Sequence, residues 1–318
     1  MMKEGVVISK RAQFNFVWIF ALVIGGAILF LAVYGALKTG DNQRYETDTK
    51  IAKSLSFLID PLQAGFSEGS FGTINFKEET RINNFCFDED LGSNKISVST
   101  RSNIGEEWNI PGIETRIHNK YIFSSERDSG KTYYVFSKPF DFPYKISDLI
   151  FITSKKYCFI NAPDEILGEI SIVQNIFSED CSDEDLINVC FDSGSDCDIT
   201  VVGSCSSSEC DSLYDSGLVS KTGSQLKYVG SLLYAAIYSS EDIYECNVNR
   251  LLHRTGKIAE NFVLKADLMN SRNCNTNLQI AISSWGQSTI NATVDNLFSL
   301  DPISISKRNE REVCGLWD

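Results

Sequence analysis

Histidine is nearly missing from this chain. His118 and His253 are the only two in 318 residues. Neither stands in an H-E-x-x-H or any other two-histidine spacing, so zinc hydrolase chemistry has no ligand set to start from. His118 falls in an alternating apolar stretch and His253 inside a helical one, where both read as ordinary packed or surface residues. Also missing are a glycine-rich phosphate loop and any basic patch interleaved with aromatics, the features a nucleotide or nucleic-acid site needs. The net charge of −13 adds to that exclusion, because an acidic surface repels phosphates. No cofactor is implied, and nucleic acid is excluded as a partner.

Two further absences are positional. No charged residue occurs from Gln13 to Leu37, and no cysteine occurs before Cys86. The first gap is long enough to matter. A bilayer core of about 30 Å takes about 20 apolar residues in a helix rising 1.5 Å each. A cleaved secretory signal has an apolar stretch of only about 7–15 residues. A soluble core helix of this length has no need to be apolar on every face. Trp18 and Tyr34 stand near the two ends, where aromatic rings favour the membrane interface. No second spanning run follows: "SDLIFITSKKYCFI" is interrupted by charge and "SLLYAAIY" is too short.

Lys3, Lys10 and Arg11 precede the run against a single acid, Glu4. By the positive-inside rule the amino terminus is cytoplasmic and the remainder extracytoplasmic, in contact with membrane lipid only through residues 13–37. The expected layout is a leader over 1–12, a transmembrane helix over 13–37, an amphipathic helical extension over 38–60, a β-rich part of the ectodomain over 61–180 and a Cys-rich, helical part over 181–318.

All ten cysteines fall on the predicted outer side: Cys86, Cys158, Cys181, Cys190, Cys197, Cys205, Cys210, Cys246, Cys274 and Cys314. An even number confined there reads as disulfides in an oxidising compartment. Sequence alone leaves the pairing open, with local closure of Cys190–Cys197 and Cys205–Cys210 favoured. Cys246 and Cys274 bracket a helical pattern and would lie about 40 Å apart in it, too far to bridge. A four-thiolate zinc site from Cys190, Cys197, Cys205 and Cys210 lacks a C-x2-C knuckle. Asp192, Asp196 and Asp198 in "DSGSDCD" are the weak candidates for a calcium site, against a polar hairpin turn closed by Cys190–Cys197. Asn291-Ala292-Thr293 is a glycosylation sequon with Asn291 as acceptor.

Between these features the chain alternates like strands. "GTINF", "TRINNFCF", "NKISVSTR", "TRIHNKYIFSS", "KTYYVFSKPF", "DLIFITS" and "KYCFINAP" are short and rich in β-branched or aromatic residues. They predict a mainly antiparallel sheet from about Gly69 to Asn161. Ahead of them Ile51, Leu55, Leu58 and Ile59 share a helix face, with Pro61 and Gly65 marking its end region. Behind them a long helix opens at Ser239 or Ser240 and carries the stripe Val248, Leu251, Leu252, Thr255, Ala259, Phe262, Val263 and Ala266. The expected fold class is α+β: a long N-terminal transmembrane and amphipathic helix, a mainly antiparallel β head, and a long helix of the C-terminal half packed on it. "GFSEG" matches the nucleophile-elbow pattern around Ser67, but the helix precedes it and the strand follows, the reverse of what an elbow requires.

Basic residues, then Ala12, then Gln13, then a long apolar run resemble the class III signal peptide of archaeal type IV pilins and pilin-like proteins. The resemblance covers about 50 residues. It implies that a prepilin peptidase cuts between Ala12 and Gln13 and that the apolar stretch is kept as the first half of a long helix. It further implies copies of the chain or other pilin-like subunits as partners. Val17 stands where many pilins carry glutamate, which points to a minor or pseudopilin-like subunit. The ectodomain resembles an uncharacterised archaeal family of membrane-anchored ectodomains, a likeness that implies no activity. The expectation is therefore a single-pass surface protein, structural or adhesive and not an enzyme. The alternative is a signal-anchored extracellular hydrolase acting on glycans or cell-surface polymers, for which no carboxylate pair can be named from sequence.

Overall fold

The computed structural model describes residues 16–64, 71–101, 107–171, 173–178, 181–183, 185–192, 194, 197–205 and 212–317. Ala12, Gln13, Ser67, Asp196 and Cys210 lie outside that set. The chain opens with one continuous helix, α1 (Phe16–Ala64), of 49 residues and about 70 Å. It runs on through Pro61, a few residues past the expected end. Its segment Val17–Gly35 is long and apolar enough to cross a membrane, and none of it is buried against the rest of the molecule.

Two six-stranded sheets follow. The first is built from β1 (Phe71–Phe87), β2 (Ser93–Thr100), β3 (Thr115–His118), β4 (Tyr121–Phe123), β5 (Arg127–Asp141) and β6 (Lys145–Thr153), in the order β3-β2-β1-β5-β6-β4. "GTINF" and "TRINNFCF" merge into the single strand β1, which is interrupted by an irregularity between Asn75 and Thr80. All pairings are antiparallel except β4 with β6.

"TRIHNKYIFSS" is not one strand. It breaks at Asn119, whose φ of 57° lies in the left-handed region that Asn tolerates. Only Asn119 and Lys120 separate β3 from β4, yet these strands end up at opposite edges of the sheet. The sheet therefore curls until its edges approach. No backbone ladder joins β2 to β4 there. Instead the Asn94 side chain donates to the Ile122 carbonyl (3.4 Å) and accepts from the Ile122 amide (3.4 Å).

The second sheet comprises β7 (Lys156–Ile160), β8 (Ile176–Phe177), β9 (Leu186–Phe191), β10 (Ile199–Gly203), β11 (Ser216–Lys221) and β12 (Ser224–Val229), in the order β12-β11-β10-β9-β7-β8. Here expectation and structure part. β7 pairs in parallel with β8 and with β9, and β9 pairs in parallel with β10. The head is thus mixed rather than mainly antiparallel, because alternation along a strand carries no information about its direction. The Cys190–Cys197 loop does not close a hairpin. It returns the chain so that β10 runs alongside β9, with Gly194 against both sulfurs, where a Cβ would meet them at 2.7 and 2.8 Å.

The helices are α2 (Asp164–Ile170), α3 (Leu232–Tyr238), α4 (Glu241–Ser271), α5 (Gln279–Ile290) and α6 (Pro302–Glu310), with a 3-10 turn at Val294–Ser299 before α6. Every residue of α3 is buried. On α4 the expected stripe is present, with Phe262 and Val263 only partly covered. Gly256 of α4 and Gly286 of α5 let these two helices touch, since a Cβ on Gly286 would lie 2.6 Å from the Ala259 Cβ.

Alternation on β4 and β6 divides the apolar residues between two cores. Tyr121, Phe123, Leu149 and Phe151 join the large aromatic core beneath α3 and α4. Ile122, Ile150 and Ile152 point the other way, into a smaller core with Ile82, Ile96, Val98, Tyr133 and Ala52 of α1. The helix and the first sheet thus share one core. The seat is partly polar. Asp48 is fully buried, and its Oδ2 accepts from the Thr100 amide at 3.3 Å. The Thr49 hydroxyl accepts from the Ile113 amide at 3.1 Å. Gly112 lets the chain pass, as a Cβ there would meet the Thr49 nitrogen at 2.7 Å. Ile51 of the expected stripe is partly buried here. The Leu55, Leu58 and Ile59 side chains lie outside the described residues.

Candidate functional site

Two arrangements of polar side chains stand out in the head. The first lies along the seam of the curled sheet. Arg250 of α4 is fully buried. It donates from Nη1 to Asn94 Oδ1 and Asn247 Oδ1, both at 2.7 Å, from Nη2 to the Lys120 carbonyl (3.1 Å) and from Nε to the Leu91 carbonyl (3.1 Å). Its guanidinium sits 4.7 Å from the Tyr121 ring centre. Gly92, at a φ of 59°, keeps the approach open, since a Cβ there would meet Arg250 Nε at 2.7 Å. Asn247 donates to the Ile122 carbonyl (2.9 Å), and Asn84 to that carbonyl (3.1 Å) and to Ser124 Oγ (3.0 Å). Burial lowers the Arg250 pKa to about 10, so it remains a cation at neutral pH. With every donor turned inward, the network closes the seam and offers nothing to a ligand. The Cys86–Cys246 disulfide ties β1 to α4 beside it.

The second arrangement is open. A cleft of about 1000 Å³ lies between α6 and the ends of β11 and β12, and a recess of about 240 Å³ adjoins it. Buried Phe142 and Leu297 form part of the cleft lining. Carboxylates dominate its polar rim: Asp141, Asp215, Asp301 and Glu310 against Lys307. Several have structural duties as well. Asp301 Oδ1 caps α6 by accepting from the Ser304 amide (2.9 Å), and Asp215 Oδ2 accepts from the Ser212 amide (3.0 Å). Asp141 is solvent-accessible, yet the protein packed around its carboxyl raises its pKa. Lys145 opposes that rise and Asp148 adds to it. In the smaller recess Glu169 pairs with Lys138 and accepts from the Tyr234 hydroxyl at 2.6 Å, while the Lys138 ammonium lies 4.7 Å from the Tyr234 ring centre.

The residues singled out in the sequence are scattered. His118 is exposed on β3, and His253 on α4 lies 3.2 Å from Asp90. Asn291 is exposed at the end of α5, its amide donating to the Gln287 carbonyl. Asp198 Oδ2 accepts from the Asn188 amide (2.8 Å), and Asp192 bonds to the Tyr214 side chain. No cluster of three metal-ligating side chains occurs among the described residues. Four disulfides are formed: Cys86–Cys246, Cys158–Cys181, Cys190–Cys197 and Cys274–Cys314. Cys205 is disulfide-bonded as well. Cys246 and Cys274 take different partners, as helix geometry requires.

Neither the seam nor the cleft was visible as a site in the sequence. The seam had one signal, a charged residue, Arg250, set between Val248 and Leu251 on an otherwise apolar stripe. The cleft had none, since its lining comes from five separate stretches of chain. Comparison with protein-family models, with curated proteins and with solved structures finds no match.

Proposed function

We propose that this chain is a membrane-anchored extracytoplasmic surface protein, a structural or adhesive subunit with a pilin-like amino terminus. The observation that carries the reading is α1. One unbroken helix is apolar and exposed on every side over Val17–Gly35, then shares a core with the head at Ala52. A helix apolar all round is satisfied by lipid or by neighbouring copies of itself, and Gly25-Gly26 permits close approach. The four disulfides and the bonded Cys205, all beyond the apolar segment, suit an oxidising exterior, with the basic leader inside. Leu264 and Leu268, one turn apart on α4, are exposed apolar residues suited to a further contact.

Amino-terminal sequencing of the native protein, together with protease treatment of intact cells, tests this. A mature start at Gln13 and loss of the head to external protease are expected. An intact Met1 start would leave an ordinary signal anchor, and cleavage near Gly40 would remove the membrane role. The carboxylate-rimmed cleft is the one observation that favours the second reading, an anchored hydrolase of glycans. Release of reducing ends from cell-surface polysaccharide, abolished by Asp141→Asn, would establish it.

A further inference from the structure

We propose that the cleft beside α6 and its adjoining recess form one track that binds an extended, uncharged glycan chain. The inference gives the adhesive reading above a ligand class. Binding measured in detergent is blind to membrane topology, so the two fail separately.

The first support is continuity. The two hollows share Asp215 and Gly230, and the end of β5 lines both, with Lys138 in one and Asp141 in the other. A compact ligand would occupy one hollow, whereas a chain occupies both. The saddle between them is glycine. Gly230 has a φ of 50°, and its amide is pinned to the Asp215 carbonyl at 2.8 Å. A Cβ added there meets no atom within 4 Å, so any side chain would stand in open space on the saddle.

The second support is chemistry. Carboxylates outnumber ammonium groups along the track, with Asp141, Glu165, Glu169, Asp215, Asp301 and Glu310 against Lys138 and Lys307. Lys138 is already held by Glu169, and Asp215, Asp301 and Glu310 accept from Ser212, Ser304 and Ser306. Carboxylates with part of their capacity taken up internally suit neutral hydroxyl donors, and their charge repels uronate or sulfate groups. Beside them Phe298 is 44% exposed, next to Leu300 and Pro302 in the lining. A pyranose presents the same combination: an apolar C–H face ringed by hydroxyl donors.

The test uses the full chain in detergent micelles and calorimetric titration with mannohexaose, cellohexaose, chitohexaose, hexagalacturonate and hexalysine. At least one neutral hexasaccharide should bind, about tenfold or more tighter than its own disaccharide, while hexagalacturonate does not. Phe298→Ala and Gly230→Asn should each weaken it about tenfold, Asn being chosen because it tolerates a positive φ. Melting curves check that both variants are folded, and Phe298→Ala alone decides if the other is not. Three results would each overturn the proposal: no neutral hexasaccharide binds, a disaccharide binds as tightly as the hexasaccharide, or hexalysine alone binds and is displaced by salt.

Discussion

Two long helices meet the first sheet, and they do so in different ways. α4 lies across the seam of the curled sheet, buries eleven of its 31 residues and is tied to β1 by a disulfide. α1 is longer, but its described contact is a short seat around Asp48, Thr49 and Ala52. α4 belongs to the folding unit, and without it the seam is held by the Asn84 and Asn94 side chains bonded to Ile122 and Ser124. α1 has two unlike parts, an exposed apolar segment long enough to cross a membrane over Val17–Gly35 and a protein-packed seat. A helix can hold a head to a membrane with little contact area if the contact sits in a core and satisfies buried backbone groups.

The sharpest way to break the comparison is Arg250→Leu. It strips partners from Asn94, Asn247 and two carbonyls in a buried seam, and leaving such groups unsatisfied costs about 1–3 kcal/mol each. A loss of about 3–5 kcal/mol in urea titration is expected. The equivalent change on α1 should do less. Asp48→Ala leaves the Thr100 amide without its carboxylate, and a loss of about 1–2 kcal/mol is expected in the same titration. Equal losses at the two sites would erase the distinction between a helix that closes the fold and one that leans on it.

A graded effect, read through pH, probes the approach to α4. Lys221 donates from Nζ to the Ser239 carbonyl at 2.6 Å, just before that helix begins. Burial lowers its pKa from the ordinary 10.5 to about 7. Between those values the unfolded chain holds a proton that the folded chain does not, so folding is disfavoured as pH falls from 10.5 to 7. Relative to Lys221→Met, the wild-type chain should therefore lose stability steadily as pH falls across that window, by up to about 1.4 kcal/mol per pH unit. A constant difference between the two chains from pH 7 to 10.5 would place the amine in contact with water.

What could be read in advance follows the same division. Periodicity identified both helices, because an all-round apolar run and a core-facing stripe write different patterns: uncharged on all faces over Gln13–Leu37, and one-sided over Val248–Ala266. The exclusion of a Cys246–Cys274 bridge rested on helix rise alone. Strand stretches were also legible, though not their directions. The residues of β9 and β10 would suit a hairpin or a parallel pair equally well, and only the path through Gly194 and the disulfide decides. The stripe expected on α1 named Ile51 but missed Asp48 and Thr49, since a buried carboxylate looks exposed until the Thr100 amide is placed beside it. The cleft was beyond reach for a related reason, as Asp141, Asp215 and Asp301 become neighbours only after both sheets and α6 are in position.

The seat of α1 is tested most directly by melting two soluble chains, one starting at Asp41 and one at Pro61. With Ile51 and Ala52 in the smaller core and Asp48 and Thr49 bonded to the head, the chain starting at Asp41 should melt roughly 5 °C higher or more. Identical melting temperatures would mean that the helix does not bind the head, and would contradict a membrane helix and head joined as one rigid piece.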